Sequence, residues 1–247
     1  MINMKSINIV IPMAGLGSRF ADAGYDKPKP FIDVNGKPMI VRVLENLTIQ
    51  NAKYILIGRK EQLLQESQLV SQIQEEYDAV FIGLDKLTEG AACTVLFARQ
   101  YINNDSPLLI ANSDQIVDFH INEFINDSFN RSLSGSILVF TDSTKNPKWS
   151  YVKKNHKEYV IEVKEKEPIS DLATVGIYFF SKGSEFVNGA IDMIINNDRV
   201  ANEFYTCPVY NYLISNKSPI GFFEIPIEAM HGIGTPEDLK TYLKWKK

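Results

Sequence analysis

The stretch Ile7–Pro30 reads INIVIPMAGLGSRFADAGYDKPKP and decides how the rest of the chain is organised. Residues 7–11 are apolar except for Asn8 and rich in β-branched side chains, a composition typical of a strand buried on both faces. The strand leads into Gly15 and Gly17, whose missing Cβ atoms let the backbone turn tightly and present N–H groups to a ligand. The stretch therefore predicts a core strand followed by an anion-binding loop.

Two cationic side chains follow this loop. Arg19 carries a forked, permanently charged guanidinium that suits phosphate oxygens, and Lys29 stands between Pro28 and Pro30. Because each proline disfavours helical geometry in the residue before it, we expect an exposed Lys29 ammonium on a stiff, extended segment. Phe20 stands where a dinucleotide fingerprint needs its third glycine, so the pattern favours a polyphosphate site of another kind. The alternative is a packing turn with both cations in solvent.

The bulk composition excludes several classes of protein. The chain has 247 residues, 45% of them hydrophobic, which suffices for one α/β domain with a full core. Its net charge of −4 favours neither nucleic acid nor an anionic membrane as a partner. Cys93 and Cys207 match no metal spacing and are expected to be reduced core thiols. The segment 1–10 is neither a signal peptide nor a membrane span by its sequence, so a cytoplasmic location is expected.

The hydrophobic pattern divides the chain into two halves within a single domain. In the half 1–133 strands and helices alternate, which predicts a mostly parallel sheet covered by helices on both faces. The strands expected there are 7–11, 53–58, 79–82 and 107–111, with helices at 39–47 and about 61–76. In the half 134–247, residues 135–140, 151–153 and 159–164 alternate in polarity, which predicts antiparallel, half-exposed strands. Further strands are expected at 173–180 and 220–225, and helices at 184–196 and 208–216.

Three short motifs resemble the signature of one enzyme family. Residues 15–19 (GLGSR), 27–30 (KPKP) and 36–40 (GKPMI) are similar to the sugar-1-phosphate nucleotidylyltransferases and their shorter relatives, the phosphocholine-type cytidylyltransferases. Ser18 replaces the usual threonine and keeps the hydroxyl. The resemblance implies a Rossmann-like, three-layer α/β/α fold with a small antiparallel acceptor lobe.

The resemblance also implies how a nucleoside triphosphate would be bound. Gly15, Gly17 and Arg19 would hold the β- and γ-phosphates, and Lys29 the α-phosphate in the transition state. Ala14 and Ser18 would bind the nucleotide from the same loop. Gly90 and Ala91 would lie against the base and ribose. Asp85 stands nearest to the position of the family's base-reading amide. Because a carboxylate only accepts hydrogen bonds, it would suit the cytosine amine better than the uracil edge, which favours CTP; a solvated loop aspartate is the alternative.

A magnesium site is expected at the end of the strand 107–111. Asp114 follows this strand, at the edge where open α/β sheets bind ligands, and coincides with the family's metal-binding aspartate. The family's second aspartate, just before the segment Gly234–Pro236, has no counterpart here. The alternatives for the second metal ligand are Glu224, Glu228 and water. A further alternative is that the second ligand is absent. Because residue 112 is asparagine, Asn112 to Asp114 do not form the Asp-x-Asp pattern that is typical of glycosyltransferases.

The acceptor site is expected in the second half of the chain. Glu165 and Lys166 match the family's Glu-Lys-Pro tract, although the proline comes one residue late, which leaves Lys164 as an alternative phosphate ligand. Gly176 matches the following Gly-x-Tyr-Phe strand, and Glu203 resembles an acidic residue near the acceptor.

The sequence thus predicts an Mg²⁺-dependent transfer of NMP from an NTP to a phosphorylated sugar, polyol or similar small acceptor. Pyrophosphate would be released, and the activated product would serve surface-polysaccharide synthesis. The acceptor stays open among hexose phosphate, alditol phosphate, phosphocholine and amine-bearing phosphates. A homo-oligomer also stays open. A silent nucleotide-binding module and a nucleotide-sugar-using glycosyltransferase are the alternative functions.

Overall fold

The protein is described by a computed structural model that covers residues 6–246. Residues 1–5, which form half of the N-terminal segment assessed above, lie outside the described residues, as does residue 247. The strands are β1 (Ile7–Pro12), β2 (Asp33–Val34), β3 (Lys37–Pro38), β4 (Ala52–Arg59), β5 (Val80–Leu84), β6 (Leu108–Ala111), β7 (Gln115–Val117), β8 (Gly135–Thr141), β9 (Ser150–Lys154), β10 (Val160–Glu165), β11 (Leu172–Phe180), β12 (Ile220–Glu224) and β13 (Met230–Gly232). The helices are α1 (Ser18–Asp22), α2 (Met39–Asn46), α3 (Lys60–Gln65), α4 (Ser67–Tyr77), α5 (Ala91–Leu96), α6 (Arg99–Ile102), α7 (Ile121–Asn130), α8 (Gly183–Ile195), α9 (Val209–Ser215) and α10 (Pro236–Trp245). Two 3-10 turns cover Lys29–Phe31 and Ile227–Ala229.

One nine-stranded sheet runs through both halves of the chain. The strands β5, β4, β1 and β6 are parallel neighbours in that order. The long strand β11 runs antiparallel beside β6, and β8 and β12 continue the sheet beyond it. Two small two-stranded sheets, β2–β3 and β7–β13, lie outside the main one. The expected α/β fold with a mostly parallel central sheet is confirmed.

The strand β1 lies in the middle of the sheet and is buried on both faces. Ile7, Ile9 and Ile11 belong to the core that contains α2, α4 and α7. Val10 belongs to the opposite core, which contains α5, α8 and α9. Because successive strand residues point to opposite faces, this division places a helical layer on each side of the sheet. The three-layer arrangement follows directly from the apolar run that opens the chain.

The strand β11 joins the parallel part of the sheet to a two-stranded antiparallel ribbon, β9–β10. Its second half, Ile177–Phe180, pairs with β6, whereas Ala173 in its first half pairs with Tyr151 of β9. Gly176 lies between the halves with φ of 92°, where the register with β8 also shifts. The hairpin of β9 and β10 therefore continues the same sheet from the first half of β11, beyond the bend at Gly176, and forms the small antiparallel part of the fold.

Three local predictions were wrong. Lys29 begins a 3-10 turn rather than an extended segment, because Pro30 fits an early turn position that needs no N–H donor. The expected helix 61–76 is two helices that meet at Glu66, and this bend lets α3 pack on β4 and β5 while α4 covers the core. The strand β8 is buried along nearly its whole length, because Leu138 and Phe140 enter the core on one face of the sheet while Ile137 and Val139 enter the core on the other.

Among residues 6–246, the helices are all too short or too polar to cross a lipid bilayer.

Candidate functional site

Two adjoining cavities open at the carboxyl ends of the parallel strands. The larger cavity has a volume of about 970 Å³ and the smaller one about 470 Å³. Four residues line both, and we call their position the divide: Lys29, Ala91, Asn112 and Asp114. A ligand that bridges the divide would meet a cation and a carboxylate at the junction.

The smaller cavity is built on the glycine loop. The backbone from Pro12 to Gly17 lines it, and the Met13 N–H donates to the Ile57 carbonyl at 2.8 Å, which ties the loop to β4. Gly17 has φ of 65°, and a Cβ there would lie 3.0 Å from the Lys29 Cβ. This close approach holds the lysine against the loop. Of the nucleotide-binding residues predicted in this loop, Ala14, Gly15 and Gly17 line the smaller cavity.

Arg19 and Ser18 lie just beyond the loop, at the start of α1, and both are exposed. Arg19 lines the larger cavity rather than the smaller one, and Ser18 lines neither. The structure therefore places Arg19 at the larger cavity and Ser18 outside both cavities.

Lys29 and Asp114 form an ion pair at the divide. The Lys29 side chain is 21% exposed and that of Asp114 22%, so Lys29 is less exposed than expected from the sequence. The Asp114 backbone carbonyl accepts a hydrogen bond from the Ile233 N–H at 2.9 Å, and a Cβ on Gly234 would come within 2.5 Å of the Asp114 Oδ2. The segment after β13 thus packs directly on this carboxylate.

Gly90 shapes the far wall of the smaller cavity. It has φ of 130°, and a Cβ there would lie 2.4 Å from the Phe204 carbonyl oxygen. The Phe204 N–H donates to the Glu89 carbonyl, and the Ala92 N–H donates to the Phe204 carbonyl. Only a glycine allows this close approach. It brings the carboxylate-bearing residue Glu203 to the smaller cavity, although the sequence suggested the acceptor end.

The structure does not bring Asp85 to either cavity. Its side chain is 77% exposed and lies 3.2 Å from the Lys60 ammonium. Thr88 lines the smaller cavity instead, and its hydroxyl lies 2.6 Å from that of Thr94. The apolar side chains that flank the cavity mouth are Leu16 and Leu87, both more than half exposed.

The floor of the larger cavity is a buried polar cluster. The Ser150 hydroxyl donates to the Glu165 carboxylate, and these residues face each other across the β9–β10 ribbon. Burial raises the pKa of Glu165. The Thr174 and Tyr178 hydroxyls lie 3.3 Å apart in the same cluster. These side chains offer hydrogen bonds to a polar ligand that has hydroxyl groups.

Lys166 stands at the end of the ribbon and lines the larger cavity. Its N–H donates to the Trp149 carbonyl at 3.0 Å, and its ammonium lies 4.7 Å from the centre of the Tyr205 ring. The hydrogen bond with the Tyr205 hydroxyl raises the pKa of Lys166, so the amine is cationic at neutral pH. Lys164 lines neither cavity. Of the two lysines left open by the sequence, the structure brings Lys166 to the site.

Gly176 lets Asn112 approach the bend in β11. The Asn112 N–H donates to the Gly176 carbonyl at 3.0 Å, and a Cβ on Gly176 would lie 2.2 Å from the Asn112 Nδ2. Asn112 was noted in the sequence only as a break in the Asp-x-Asp pattern. It lies on the divide, and no local signal could have predicted this placement.

The loop before β9, which hydrogen bonds to Asp142 hold in place, brings Lys148 and Trp149 to the larger cavity. The Asp142 carboxylate accepts hydrogen bonds from Thr144, Asn146 and Tyr151. Burial, which would raise the pKa of this carboxyl, is outweighed by these bonds, which lower it to about 2. The ionised Asp142 thus fixes the loop that precedes β9. The sequence carried no signal for this loop.

Asp238 is a site carboxylate that the sequence analysis missed. It lies in the first turn of α10, where its backbone N–H donates to the Thr235 hydroxyl. It also lines the larger cavity together with Asp114. A Cβ at Gly232 would lie 3.9 Å from the Asp238 Oδ2 and 3.8 Å from the Gln115 Oε1. Side-chain oxygens of two other residues therefore surround the position that lacks the family's second aspartate.

The other two candidates for a metal ligand lie elsewhere. Glu224 accepts a hydrogen bond from Thr141 at 2.6 Å, and neither Glu224 nor Glu228 lines a cavity. The Gln115 Oε1 is buried and accepts no hydrogen bond from residues 6–246, which suits an oxygen ligand. The described residues contain no group of three or more His, Cys, Asp or Glu side chains that could hold a metal. The hard oxygens of Asp114, Asp238 and Gln115 fit Mg²⁺ if phosphate oxygens complete its coordination.

His231 closes the side of the larger cavity next to α10. Its ring lies 4.0 Å from that of Trp245 and 5.6 Å from that of Tyr242, measured between centres. Burial lowers the pKa of His231, so the imidazole is neutral at pH 7. The structure makes His231 part of an aromatic wall with Tyr242 and Trp245.

Comparisons with known proteins agree with this geometry. The sequence model of the nucleotidyl transferase family matches residues 9–206. The bifunctional protein GlmU of Methanocaldococcus jannaschii is 26% identical over 181 residues, which are 71% of this chain and 40% of that protein. The UTP–glucose-1-phosphate uridylyltransferase AglF of Haloferax volcanii is 24% identical over 211 residues, which are 77% of this chain and 84% of that protein. This chain therefore spans less than half the length of the first relative and most of the second.

A solved structure is similar over almost the whole chain. The nucleoside-diphosphate-sugar pyrophosphorylase from Vibrio cholerae RC9 superposes with a TM-score of 0.78 at 25% identity, covering 96% of this chain and 99% of that one. The likeness includes both halves of the chain.

Proposed function

Because this chain belongs to the nucleotidyl transferase family, we propose that it transfers a nucleoside monophosphate from an NTP to a small phosphorylated acceptor. An oxygen of the acceptor phosphate attacks the α-phosphorus, the bond from that phosphorus to the β-phosphate oxygen breaks, and pyrophosphate leaves. The observation that carries the proposal is the Lys29–Asp114 pair at the divide between two cavities. One cavity suits a nucleotide and the other suits its acceptor.

The nucleoside triphosphate occupies the smaller cavity in this proposal. The exposed backbone of Gly15 and the turn at Gly17 present N–H groups to phosphate oxygens. The base lies between the apolar side chains of Leu16 and Leu87 at the mouth. The α-phosphate then reaches the divide, where the Lys29 ammonium can neutralise the charge that builds up on it during transfer.

Mg²⁺ is the proposed cofactor, and Asp114 is its proposed protein ligand together with oxygens of Asp238 and Gln115. When bound, the ion would neutralise phosphate charge. The Asp114 carboxylate is held in place by the Ile233 N–H at its backbone and by Lys29 at its side chain. When NTP occupies the divide, Lys29 exchanges this carboxylate for the α-phosphate.

The acceptor occupies the larger cavity, with its phosphate on Lys166 and Arg19 and its hydroxyl groups on the floor around Glu165. This floor favours an acceptor with several hydroxyl groups, as in a sugar or polyol phosphate. The preference for CTP that the sequence suggested rested on Asp85, which lines neither cavity, so the base is left to experiment. A role in surface-polysaccharide synthesis, a cytoplasmic location and a homo-oligomer stay predictions.

Pyrophosphate release tests the proposal. The purified protein is incubated with Mg²⁺, each of CTP, UTP, ATP and GTP, and a panel of phosphorylated sugars, polyols and amino alcohols. Release that requires both an NTP and one acceptor supports the proposal and identifies both substrates. Binding of NTP without pyrophosphate release across the panel would indicate a silent nucleotide-binding module. Release of NDP from a nucleotide-sugar would indicate a glycosyltransferase.

A further inference from the structure

Glu203 lies in the smaller cavity, which the proposed function assigns to the nucleotide, and outside the four residues of the divide. It lines the smaller cavity together with Gly90, whereas the next residues, Tyr205 to Cys207, line the larger one. The chain therefore crosses from one cavity to the other directly after Glu203. If the α-phosphate lies at the divide, as the proposed function has it, a group at this point is close to the part of the nucleotide next to that phosphate.

A rigid turn holds Glu203 in this place. Ala201 has φ of 49° and Asn202 has φ of 65°, and the N–H and C=O groups of Val200 and Glu203 exchange hydrogen bonds of 2.9 and 3.0 Å across the turn. Two consecutive left-handed residues are typical of the tightest two-residue turns. Beyond Glu203, the backbone of Phe204 is fixed to Glu89 and Ala92. The carboxylate thus projects from a segment that is anchored on both sides.

The Glu203 carboxylate is exposed, and within residues 6–246 it has no lysine or arginine at ion-pairing distance. A carboxylate repels phosphate oxygens and only accepts hydrogen bonds, so it suits a neutral part of the nucleotide that has donors. The ribose connects the α-phosphate to the base and carries two adjacent hydroxyl donors. Two carboxylate oxygens can accept both at once, as acidic residues do with ribose in other nucleotide sites.

We propose that Glu203 binds the ribose 2′- and 3′-hydroxyl groups of the NTP and makes the protein selective for ribonucleotides over 2′-deoxyribonucleotides. This inference rests on the proposed function, and it differs from the sequence prediction, which assigned Glu203 to the acceptor. Glu203 is a specificity-determining residue in this account, and Lys29 and Asp114 act on the phosphate without it.

Isothermal titration calorimetry tests the inference without requiring turnover. CTP, UTP, ATP and GTP are titrated with Mg²⁺ against the wild-type protein, together with the 2′-deoxy form of each. We expect the ribonucleotide to bind about tenfold or more tightly than its deoxy form, because the 2′-hydroxyl bonds to a charged acceptor. In Glu203→Ala this ratio should fall to between about one and three. Pyrophosphate release with the assigned acceptor should show the same change in the ratio of kcat/KM.

Glu89→Gln is the matched control, because Glu89 is an exposed neighbour paired with Arg199 and lines neither cavity. It should keep the wild-type ratio. An unchanged ribose-to-deoxyribose ratio in Glu203→Ala would overturn the inference, and a raised acceptor KM in that variant would return Glu203 to the acceptor site. A shift in base preference alone would also overturn it. If none of the four ribonucleotides bound to the wild type, the proposed function itself would fail.

Discussion

Lys29 and Asp114 are 85 residues apart in the sequence, and their side chains form an ion pair where the two cavities meet. The pair joins the glycine-loop segment to the end of β6. Each side chain neutralises the charge of the other when no nucleotide is bound. Binding of NTP and of metal should therefore help each other, because each releases the group that the other needs.

Replacement of Lys29 should slow the reaction far more than it weakens the fold. We expect Lys29→Ala to lower kcat by about 10²–10³-fold, because a donor to the transition-state charge is lost. The ion pair is partly exposed, so the free energy of unfolding should change by about 1 kcal/mol or less. Steady-state kinetics and urea unfolding measure both quantities. A variant that unfolds rather than reacts slowly would count against this role.

Replacement of Asp114 should weaken metal binding. We expect Asp114→Asn to raise the dissociation constant of Mn²⁺, used as a probe for Mg²⁺, by about tenfold or more in the presence of NTP. Electron paramagnetic resonance of free Mn²⁺ measures this constant. Asp105→Asn is the control, because Asp105 is exposed and paired with Lys182. Equal metal affinity in both variants would remove Asp114 from the metal site.

Two glycine-to-alanine changes should affect different properties, one NTP binding and the other the stability of the fold. A Cβ on Gly15 would meet nothing within 4 Å, so Gly15→Ala should leave the thermal midpoint unchanged while it weakens NTP binding at the loop. A Cβ on Gly90 would collide with the Phe204 carbonyl at 2.4 Å, so Gly90→Ala should destabilise the protein by about 1–3 kcal/mol. Differential scanning fluorimetry and calorimetric NTP titration test the pair. A stable Gly90→Ala protein would show that the Phe204 contact is dispensable.

Two lysines of the ribbon should differ in their effect on the acceptor. Lys166→Ala should raise the acceptor KM by about tenfold or more, because a charged hydrogen bond to phosphate is lost. Lys164→Ala should leave it unchanged, since Lys164 lines neither cavity. The NTP KM should be unaffected in both. If Lys164→Ala gave the larger effect, the acceptor phosphate would lie on the other side of the ribbon.

The stability that Asp142 gives to the fold through its loop should decrease as the pH falls. The pKa of Asp142 is lowered from 3.8 to about 2 in the folded protein, so its ionised form stabilises the fold above the unfolded value. This contribution is present above about pH 4 and is lost as the pH falls towards about 2. Asp142→Asn should therefore be less stable than wild type at pH 6, and the difference should narrow at pH 3. Urea unfolding at both values measures the gap, and a constant gap would contradict the assignment.

The sequence predicted the elements whose signals are local. The apolar run of β1, the glycine loop after it and the strand that ends before Asp114 are each encoded in fewer than ten consecutive residues. Buried parallel strands need continuous apolar side chains, and a tight turn needs glycine, so both leave a readable pattern. The resemblance then extended these patterns to a fold and an activity class.

Tertiary packing decided the rest of the site. Asp85 seemed suited to read the base by its position in the sequence, yet it pairs with Lys60 in solvent. Asp238 resembled a simple helix-start acid, yet it lines the cavity beside Asp114. Neither outcome has a local signal, because the direction of a loop side chain depends on which distant segment packs against it.

The sequence by itself therefore determined the parallel core, the glycine loop and the identity of the two charged groups at Lys29 and Asp114. Only the tertiary structure decided that these two groups meet, that Glu203 lines the smaller cavity and that Gly90 admits the Phe204 backbone. The first set follows from the conformational preferences and burial of neighbouring residues, which act over a few positions of the chain. The second set follows from contacts between segments 85 or more residues apart, whose geometry is settled only when the layers pack together.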